Sequence, residues 1–191
     1  MTSRRCGNGL LTHILVSEGY DGYGVDLRAR NSWSYYPETT QARLRVHAID
    51  PLNLNTAKDD TQRSYLPPGV FIIANHADEL TPWTPLLATL CNASGYLSIP
   101  CCAWAFDSRF ERGVASNNGP VPSVIQIGDK SNEMLGLGAE AGGTTSSYLL
   151  YRIWLANLGL YCGWENEYDT LRIPSTRNWS IIGEFSLFIE G

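Results

Sequence analysis

Lysine is nearly absent from this sequence of 191 residues, and so is a general excess of positive charge. Only Lys58 and Lys130 are lysines, the other twelve cations are arginines, and the net charge is −5. Binding of nucleic acid through the overall field is therefore excluded, and an RNA partner would have to meet a local basic patch. Arginine favours phosphates and stacks on bases, although biased codon usage explains the same composition equally well.

Cysteine pairs with the spacing of a zinc site are also missing. The chain has five cysteines and no CxxC motif, so we expect no metal and free thiols in a reducing compartment. It has no apolar run near the ~20 residues of a membrane helix and no apolar N-terminal secretory signal. These absences predict a soluble cytoplasmic protein with no membrane partner. The cysteines are Cys6, Cys91, Cys101, Cys102 and Cys162.

Short apolar runs alternate with segments of helical spacing along the chain. This alternation predicts an α/β fold with a mostly parallel sheet, and the last two runs predict a C-terminal antiparallel hairpin. We expect one domain over residues 1–191, with a long loop or insertion at 107–146. The expected helices are 10–17, a helix N-capped by Thr81 with Pro82 in its first turn and ending near 91, and 147–158. The expected strands are 23–27, 44–49, 70–74, 96–101, 161–167 and 179–189, with a loop at 53–68.

A glycine turn, formed by Gly7, Asn8 and Gly9, leads into the first predicted helix. Such a turn lets a ligand approach the backbone and the free N–H groups of the helix, although a purely structural turn has the same pattern. Asp26 follows 19 residues after Gly7, where nucleotide-binding folds place a carboxylate for ribose hydroxyls. Position 12 is threonine instead of a third glycine, which argues against a dinucleotide-binding oxidoreductase.

A second polar group follows the clearest buried strand, at residues 75–79. It contains Asn75, His76, Asp78 and Glu79. Ligands bind at the carboxyl edge of parallel sheets, so these side chains are candidates for a catalytic site. The alternative is that Asp78 and Glu79 only stabilise the N-terminus of the next helix.

Arginines mark two further segments. Arg172 and Arg177, with Ser175 and Thr176 between them, have the composition of a phosphate-binding loop, although a solvated hairpin loop is an equal alternative. Arg28 and Arg30 follow Asp26 and precede three aromatic residues that could stack on bases, or could simply pack in the core. These aromatic residues are Trp33, Tyr35 and Tyr36.

Several long strings resemble the eukaryotic tRNA (uracil-2′-O-)-methyltransferase family. They are CGNGLLTHIL, EGYDGYGVDLRARNSW, ANHADELTPWTPLLA, IPCCAWAFD and CGWENEYDTLRIPSTRN, and the similarity runs from about residue 6 to residue 183. The resemblance implies a class I (Rossmann-like) fold and S-adenosyl-L-methionine as cofactor. It also implies 2′-O-methylation of the uridine at position forty-four of serine tRNA, so that tRNA becomes the expected partner.

The resemblance and the motifs together give each candidate residue a role. A tetrad of Lys, Asp, Lys and Glu is not expected, because both lysines fall in predicted loops. The candidate base or orienting residues are Asp78, Glu79 and His76. The candidate cofactor residues are Gly7, Asn8, Gly9, Asp26, Asp50 and Asn75. The candidate RNA-binding residues are Arg28, Arg30, Arg172, Ser175, Thr176 and Arg177.

The beginning of the chain departs from the family pattern. The family has an apolar strand that ends in an acidic residue before the cysteine-glycine turn, whereas this chain enters the motif directly after Met-Thr-Ser-Arg-Arg. We therefore expect a missing first strand and an N-terminally truncated chain. The alternative function is a non-catalytic RNA-binding or scaffold module that remains after loss of that strand.

Overall fold

Seven strands form one sheet in the computed structural model, which describes residues 2–4, 6–53, 60–110, 146–175 and 177–185. The strands are β1 (Thr2–Arg4), β2 (Tyr23–Asp26), β3 (Leu44–Val46), β4 (Phe71–Asn75), β5 (Gly95–Ile99), β6 (Trp164–Thr170) and β7 (Trp179–Phe185). The helices are α1 (Leu10–Ser17), α2 (Glu38–Gln41), α3 (Asp60–Ser64), α4 (Trp83–Leu90) and α5 (Ser147–Tyr161).

The sheet has the strand order β3-β2-β1-β4-β5-β7-β6. Strands β1 to β5 are parallel, and β7 is antiparallel to both β5 and β6. The predicted mostly parallel sheet with a C-terminal antiparallel hairpin is therefore confirmed. Because parallel strands need crossover connections, α1 and α4 return the chain across the sheet and leave the carboxyl ends of β1, β2 and β4 at one edge.

The prediction of a missing first strand is wrong. Residues Thr2–Arg4 form β1, which pairs with β2 through Ser3 and Gly24 and with β4 through Ser3 and Ile73. Strand pairing uses backbone groups, so a polar segment can occupy the middle of a sheet when both neighbours supply partners. The sequence interpretation required an apolar run and therefore missed this short strand.

The larger hydrophobic core lies between the sheet and the helices α4 and α5. Ile72 from β4, Tyr96 from β5 and Ile181 from β7 are almost fully buried there. Leu87 from α4 and Leu155 from α5 pack against the same cluster. A smaller cluster under the glycine turn contains Cys6, Trp33 and Leu44. Both cores fix the strand ends from which the candidate site is built.

Several element boundaries differ from the prediction. β3 ends at Val46, because the chain leaves the sheet while its apolar pattern continues. α5 extends to Tyr161, so β6 begins only at Trp164. The segment expected to be a loop at 53–68 contains the short helix α3.

The start of α4 also differs from the prediction that Thr81 is its N-cap. A 3-10 turn over Asp78–Leu80 comes first, and Pro82 occupies the N-cap position without a side-chain cap. Thr81 already has helical backbone angles, and its N–H donates to the carbonyl oxygen of Asp78 at 3.0 Å. Its side chain is therefore not placed to cap the helix.

Most of the expected long loop at 107–146 falls on residues 111–145, which lie outside the described residues. The loop and the single domain over 1–191 therefore stay predictions. Phe110 packs against Tyr151 and Trp154, and the Ser146 hydroxyl accepts the N–H of Leu149 and caps α5. None of the helices in the described ranges is long and apolar enough to cross a membrane.

Candidate cofactor and substrate site

The glycine turn is a left-handed bend that leads directly into α1. Gly7 has φ 57° and Gly9 has φ 84°, which are angles that side chains rarely adopt. A Cβ atom at Gly9 would lie 3.2 Å from the ring of Tyr36. The amide oxygen of Asn8 accepts the N–H of Leu10 at 3.1 Å. Both the backbone angle and the close packing therefore require glycine at position 9.

Asp26 ends β2 directly beside this turn and is only 5% exposed. Its Oδ2 accepts the N–H of Gly7 at 3.0 Å, and its Oδ1 lies 3.7 Å from the guanidinium of Arg30. Burial and the Asp26 charge raise the pKa of Cys6 to about 12, so that thiol stays protonated. The turn and the carboxylate predicted to act together are in contact.

A cavity of about 190 Å³ opens at the carboxyl edge of β2 and reaches the 3-10 turn after β4. Its walls combine aliphatic side chains with two carboxylates and an imidazole. The lining residues are Val25, Asp26, Leu27, His47, Ile49, Glu79 and Leu80. Residues from the first and second sequence motifs therefore face one space, as we expected from the strand ends.

The segment 75–79 at the end of β4 has an unusual backbone. His76 and Asp78 have φ angles of 53° and 48°, although neither is glycine. Such angles cost about 1–3 kcal/mol each and are often retained where function requires them. Asn75 pairs with Ile99 of β5, and His76 is exposed. Glu79 lines the cavity, and Asp78 contacts Cys101, which follows β5.

Asp78 is in contact with a cysteine that the sequence interpretation did not assign to the site. The thiol of Cys101 donates to Oδ1 of Asp78 at 3.3 Å. Burial raises the pKa of Cys101 to about 12, and the hydrogen bond to Asp78 and the neighbouring Cys102 contribute in the same direction. Cys101 is therefore a protonated donor that holds the carboxylate in place.

The ligand atoms of Asp78, Cys101 and Cys102 all lie within 4.8 Å of one another. One carboxylate and two thiols could hold a thiophilic cation such as zinc if both thiols lost their protons. They supply three ligands, whereas structural zinc sites have four. The absence of a metal stays a prediction.

Asp50, which was predicted to lie near the adenine of the cofactor, makes local contacts, and its role at the cofactor stays a prediction. Its carboxylate accepts the N–H of Leu52 at 3.0 Å and the side-chain amide of Asn53 at 2.6 Å, so it caps a local turn. His47 and Ile49, which precede it, line the cavity. Both were missed, because β3 was expected to continue through them.

The loop between β6 and β7 brings one arginine to the site and leaves another at the surface. Arg177 donates to the carbonyl oxygen of Cys101 at 2.6 Å, and its guanidinium lies 4.2 Å from the centre of the Tyr148 ring. Its backbone N–H donates to the Ser175 hydroxyl at 3.0 Å. Arg172 is exposed, and Thr176 lies outside the described residues.

The second arginine pair lies near the glycine turn. Arg28 is exposed, whereas Arg30 forms the ion pair with Asp26. Trp33 is buried, and its indole N–H donates to the carbonyl oxygen of Gly7 at 2.9 Å, so it packs in the core instead of stacking on a base. Tyr35 is 87% exposed and remains free to stack.

Comparison with known proteins identifies similar sequences over nearly the whole chain. A family model described as "Predicted AdoMet-dependent methyltransferase" matches residues 2–51, which include the glycine turn and Asp26. The chain is 34% identical over 93% of its length to the tRNA (uracil-O(2)-)-methyltransferase of Schizosaccharomyces pombe. It is 35% identical over 93% of its length to the protein of that name from Neurospora crassa. The predicted resemblance is confirmed.

The match to these methyltransferases covers only part of the relatives. The chain spans 34% of the length of each of the two fungal proteins. It is also 31% identical over 94% of its length to the probable tRNA (uracil-O(2)-)-methyltransferase of Homo sapiens, of which it spans 19%. No solved structure matches the chain.

Proposed function

We propose that the protein transfers a methyl group from S-adenosylmethionine to the ribose 2′-oxygen of a uridine in tRNA. The observation that carries this proposal is that Asp26, which contacts the glycine turn, and Glu79 line the same cavity. The strand order supports a class I, Rossmann-like methyltransferase fold. The family resemblance favours serine tRNA as the substrate and the cytoplasm as the location.

The residues around the cavity fit S-adenosylmethionine. The carboxylate of Asp26 has about four lone-pair positions, so it can accept ribose hydroxyls while it keeps the N–H of Gly7. Leu27 and Ile49 supply apolar walls for an adenine ring. Residues 7–9 and Asn75 would hold the methionine end. When bound, the cofactor supplies a methyl group on a sulfonium, which is already activated for transfer.

The side chains beside the cavity have two tasks, which are to align the uridine ribose and to remove its 2′-hydroxyl proton. Alignment of the reacting groups can lower a barrier by about 7–11 kcal/mol, and a general base adds roughly 10²–10⁴-fold in rate. We assign the base to Asp78, whose carboxylate the Cys101 thiol orients. Glu79, which lines the cofactor cavity, is the second candidate, and the exposed His76 is the third.

The RNA would approach from the side of the β6–β7 loop. Arg177 reaches the carbonyl of Cys101 and therefore lies next to the proposed base. Arg172 and Ser175 are exposed in the same loop, and we assign them, with Thr176, to the phosphates on that side. Arg28 and Arg30 form a separate basic spot beside Asp26, so we assign them to more distant phosphates of the RNA.

Calorimetry with S-adenosylmethionine tests the cofactor site directly. We expect the chain to bind the cofactor, and Asp26→Asn to weaken binding about tenfold or more, because a charged hydrogen bond contributes about 1.5–3 kcal/mol. Asp21→Asn is the matched control, since Asp21 pairs with Arg43 on the surface. Absence of binding by the unaltered chain would reject the enzyme.

A transfer assay tests the reaction itself. The chain should label a serine tRNA transcript from cofactor with a tritiated methyl group, and a 2′-deoxyuridine at the target position should abolish the label. Label that persists on the deoxy transcript would place the methyl group elsewhere. The alternative of a non-catalytic scaffold was based on a missing first strand, and the paired β1 removes that reason.

A further inference from the structure

Arg152 is a half-buried cation that the proposed mechanism does not use. Its guanidinium carbon lies 4.0 Å from the centre of the Trp179 ring, and its Nε is buried without a hydrogen-bond partner among the described residues. Burial lowers its pKa, which means that desolvation opposes the charge. A cation in such a position is costly unless an anion or hydrogen-bond acceptor joins it.

Tyr148 connects Arg152 to the catalytic corner. It precedes Arg152 by four residues on α5, so both side chains lie on one face of the helix. Burial raises the pKa of Tyr148, and the positive charges of Arg152 and Arg177 oppose that shift. The guanidinium of Arg177 lies 4.2 Å from the centre of the Tyr148 ring. The Tyr148 hydroxyl donates to the carbonyl oxygen of Pro100 at 2.8 Å.

Two arginines therefore flank one tyrosine beside the end of β5. In the described part of the chain, neither Arg152 nor Arg177 has a carboxylate within salt-bridge distance, whereas Arg30 and Arg43 each have one. Arg177 also donates a hydrogen bond to the carbonyl oxygen of Cys101, whose thiol contacts Asp78. The chain as a whole carries a net charge of −5, so these two arginines form a local positive patch on an acidic protein.

We propose that Arg152 and Arg177 together bind one phosphodiester group of the RNA, next to the target ribose. Aromatic rings beneath both guanidiniums fix their orientation before binding, and each planar fork can donate two parallel hydrogen bonds to phosphate oxygens. The site extends the proposed function, because it holds the nucleotide whose 2′-oxygen faces Asp78. Its contacts to phosphate do not depend on the methyl donor.

Binding of uridine 5′-monophosphate and uridine to the full chain tests this site. We expect the monophosphate to bind more tightly than uridine, and Arg152→Met to weaken monophosphate binding about tenfold or more while leaving uridine and S-adenosylmethionine binding unchanged. Arg43→Met is the matched control, since Arg43 also lies over an aromatic ring but is paired with Asp21. With single-stranded RNA, the salt slope should fall by about 0.7 in Arg152→Met.

Arg152→Lys separates binding from stability. It keeps the charge but not the planar fork, so it should bind the monophosphate with an intermediate affinity, and it can be measured if Arg152→Met unfolds. Equal affinity of the unaltered chain for the monophosphate and uridine would overturn the proposal. A lowered melting temperature with an unchanged monophosphate-to-uridine ratio would also overturn it. Failure of the enzyme proposal gives a different result, because the unaltered chain would then not bind S-adenosylmethionine.

Discussion

At the scale of the residue, Asp78 combines a strained backbone with a restrained carboxylate. Its φ angle is 48°, and its side chain accepts a hydrogen bond from the half-buried thiol of Cys101. The next residue, Glu79, faces the cofactor cavity. A short polar side chain that tolerates the left-handed region is therefore needed at position 78, and a carboxylate adds basicity.

We predict that Asp78→Asn lowers methyl transfer at least 10²-fold while S-adenosylmethionine binding changes less than about threefold. Asparagine favours left-handed angles, so the backbone at position 78 should persist. Loss of the negative charge should also lower the pKa of Cys101 from about 12, so iodoacetamide should modify Cys101 faster at pH 9. Mass spectrometry of the alkylated peptides measures this rate.

Cys162 is the internal control for that measurement. Burial alone raises its pKa to about 11, so its alkylation rate should be the same in both proteins. If the alkylation rates of Cys101 and Cys162 rose equally, the substitution would have loosened the fold in general. Normal turnover by Asp78→Asn would leave Glu79 or His76 as the base.

The sequence could indicate some of these residues but not others. Asp26 and Glu79 follow strands, and a general rule of parallel sheets brings strand ends to one edge. The contact of Cys101 with Asp78 depends on how far β5 extends beside β4, which no local pattern encodes. Arg152 lies within an ordinary helix, and only the packing of α5 on β7 places Trp179 beneath it.

At the scale of the element, the turn before α1 can be compared with the turn after it. Gly9 and Gly19 have nearly equal φ angles of 84° and 87°. An added Cβ at Gly9 would meet Tyr36 and Leu44 at 3.2–3.3 Å, whereas one at Gly19 would meet nothing within 4 Å. The two positions therefore separate backbone strain from crowding.

We predict that Gly19→Ala destabilises the chain by about 1–2 kcal/mol, which is the cost of the left-handed angle alone. Gly9→Ala should cost more, because the crowded side chains must also move, and it should weaken S-adenosylmethionine binding. Urea unfolding and calorimetry measure the two effects. Equal costs for both variants, with unchanged cofactor affinity, would mean that the turn before α1 only connects β1 to the helix.

The predicted element boundaries were correct where a particular residue starts or ends the element. α1 has the predicted bounds, because a glycine turn precedes it and Gly19 follows it. β3 is shorter than predicted, because the apolar spacing continues to Ile49 although that side chain packs outside the sheet. The start of α4 was also wrong, because a strained 3-10 turn is not visible in residue preferences.

At the scale of the whole molecule, β1 joins the two halves of the sheet. Asp26 ends β2 on one side, whereas Asp78 follows β4 and Cys101 follows β5 on the other. β1 is hydrogen-bonded to β2 on one side and to β4 on the other. The distance between Asp26 and Glu79 across the cofactor cavity therefore depends on β1. Its three residues are polar, so the sequence pattern did not predict a strand there.

We predict that Ser3→Pro abolishes S-adenosylmethionine binding and lowers the free energy of unfolding by about 3 kcal/mol or more, because proline removes a backbone donor and does not fit between two strands. Ser3→Val is the control, since a β-branched residue favours a strand and should leave binding intact. Calorimetry and urea unfolding of both variants give the answer. If Ser3→Pro bound the cofactor normally, β1 could not be what holds Asp26 and Glu79 across one cavity.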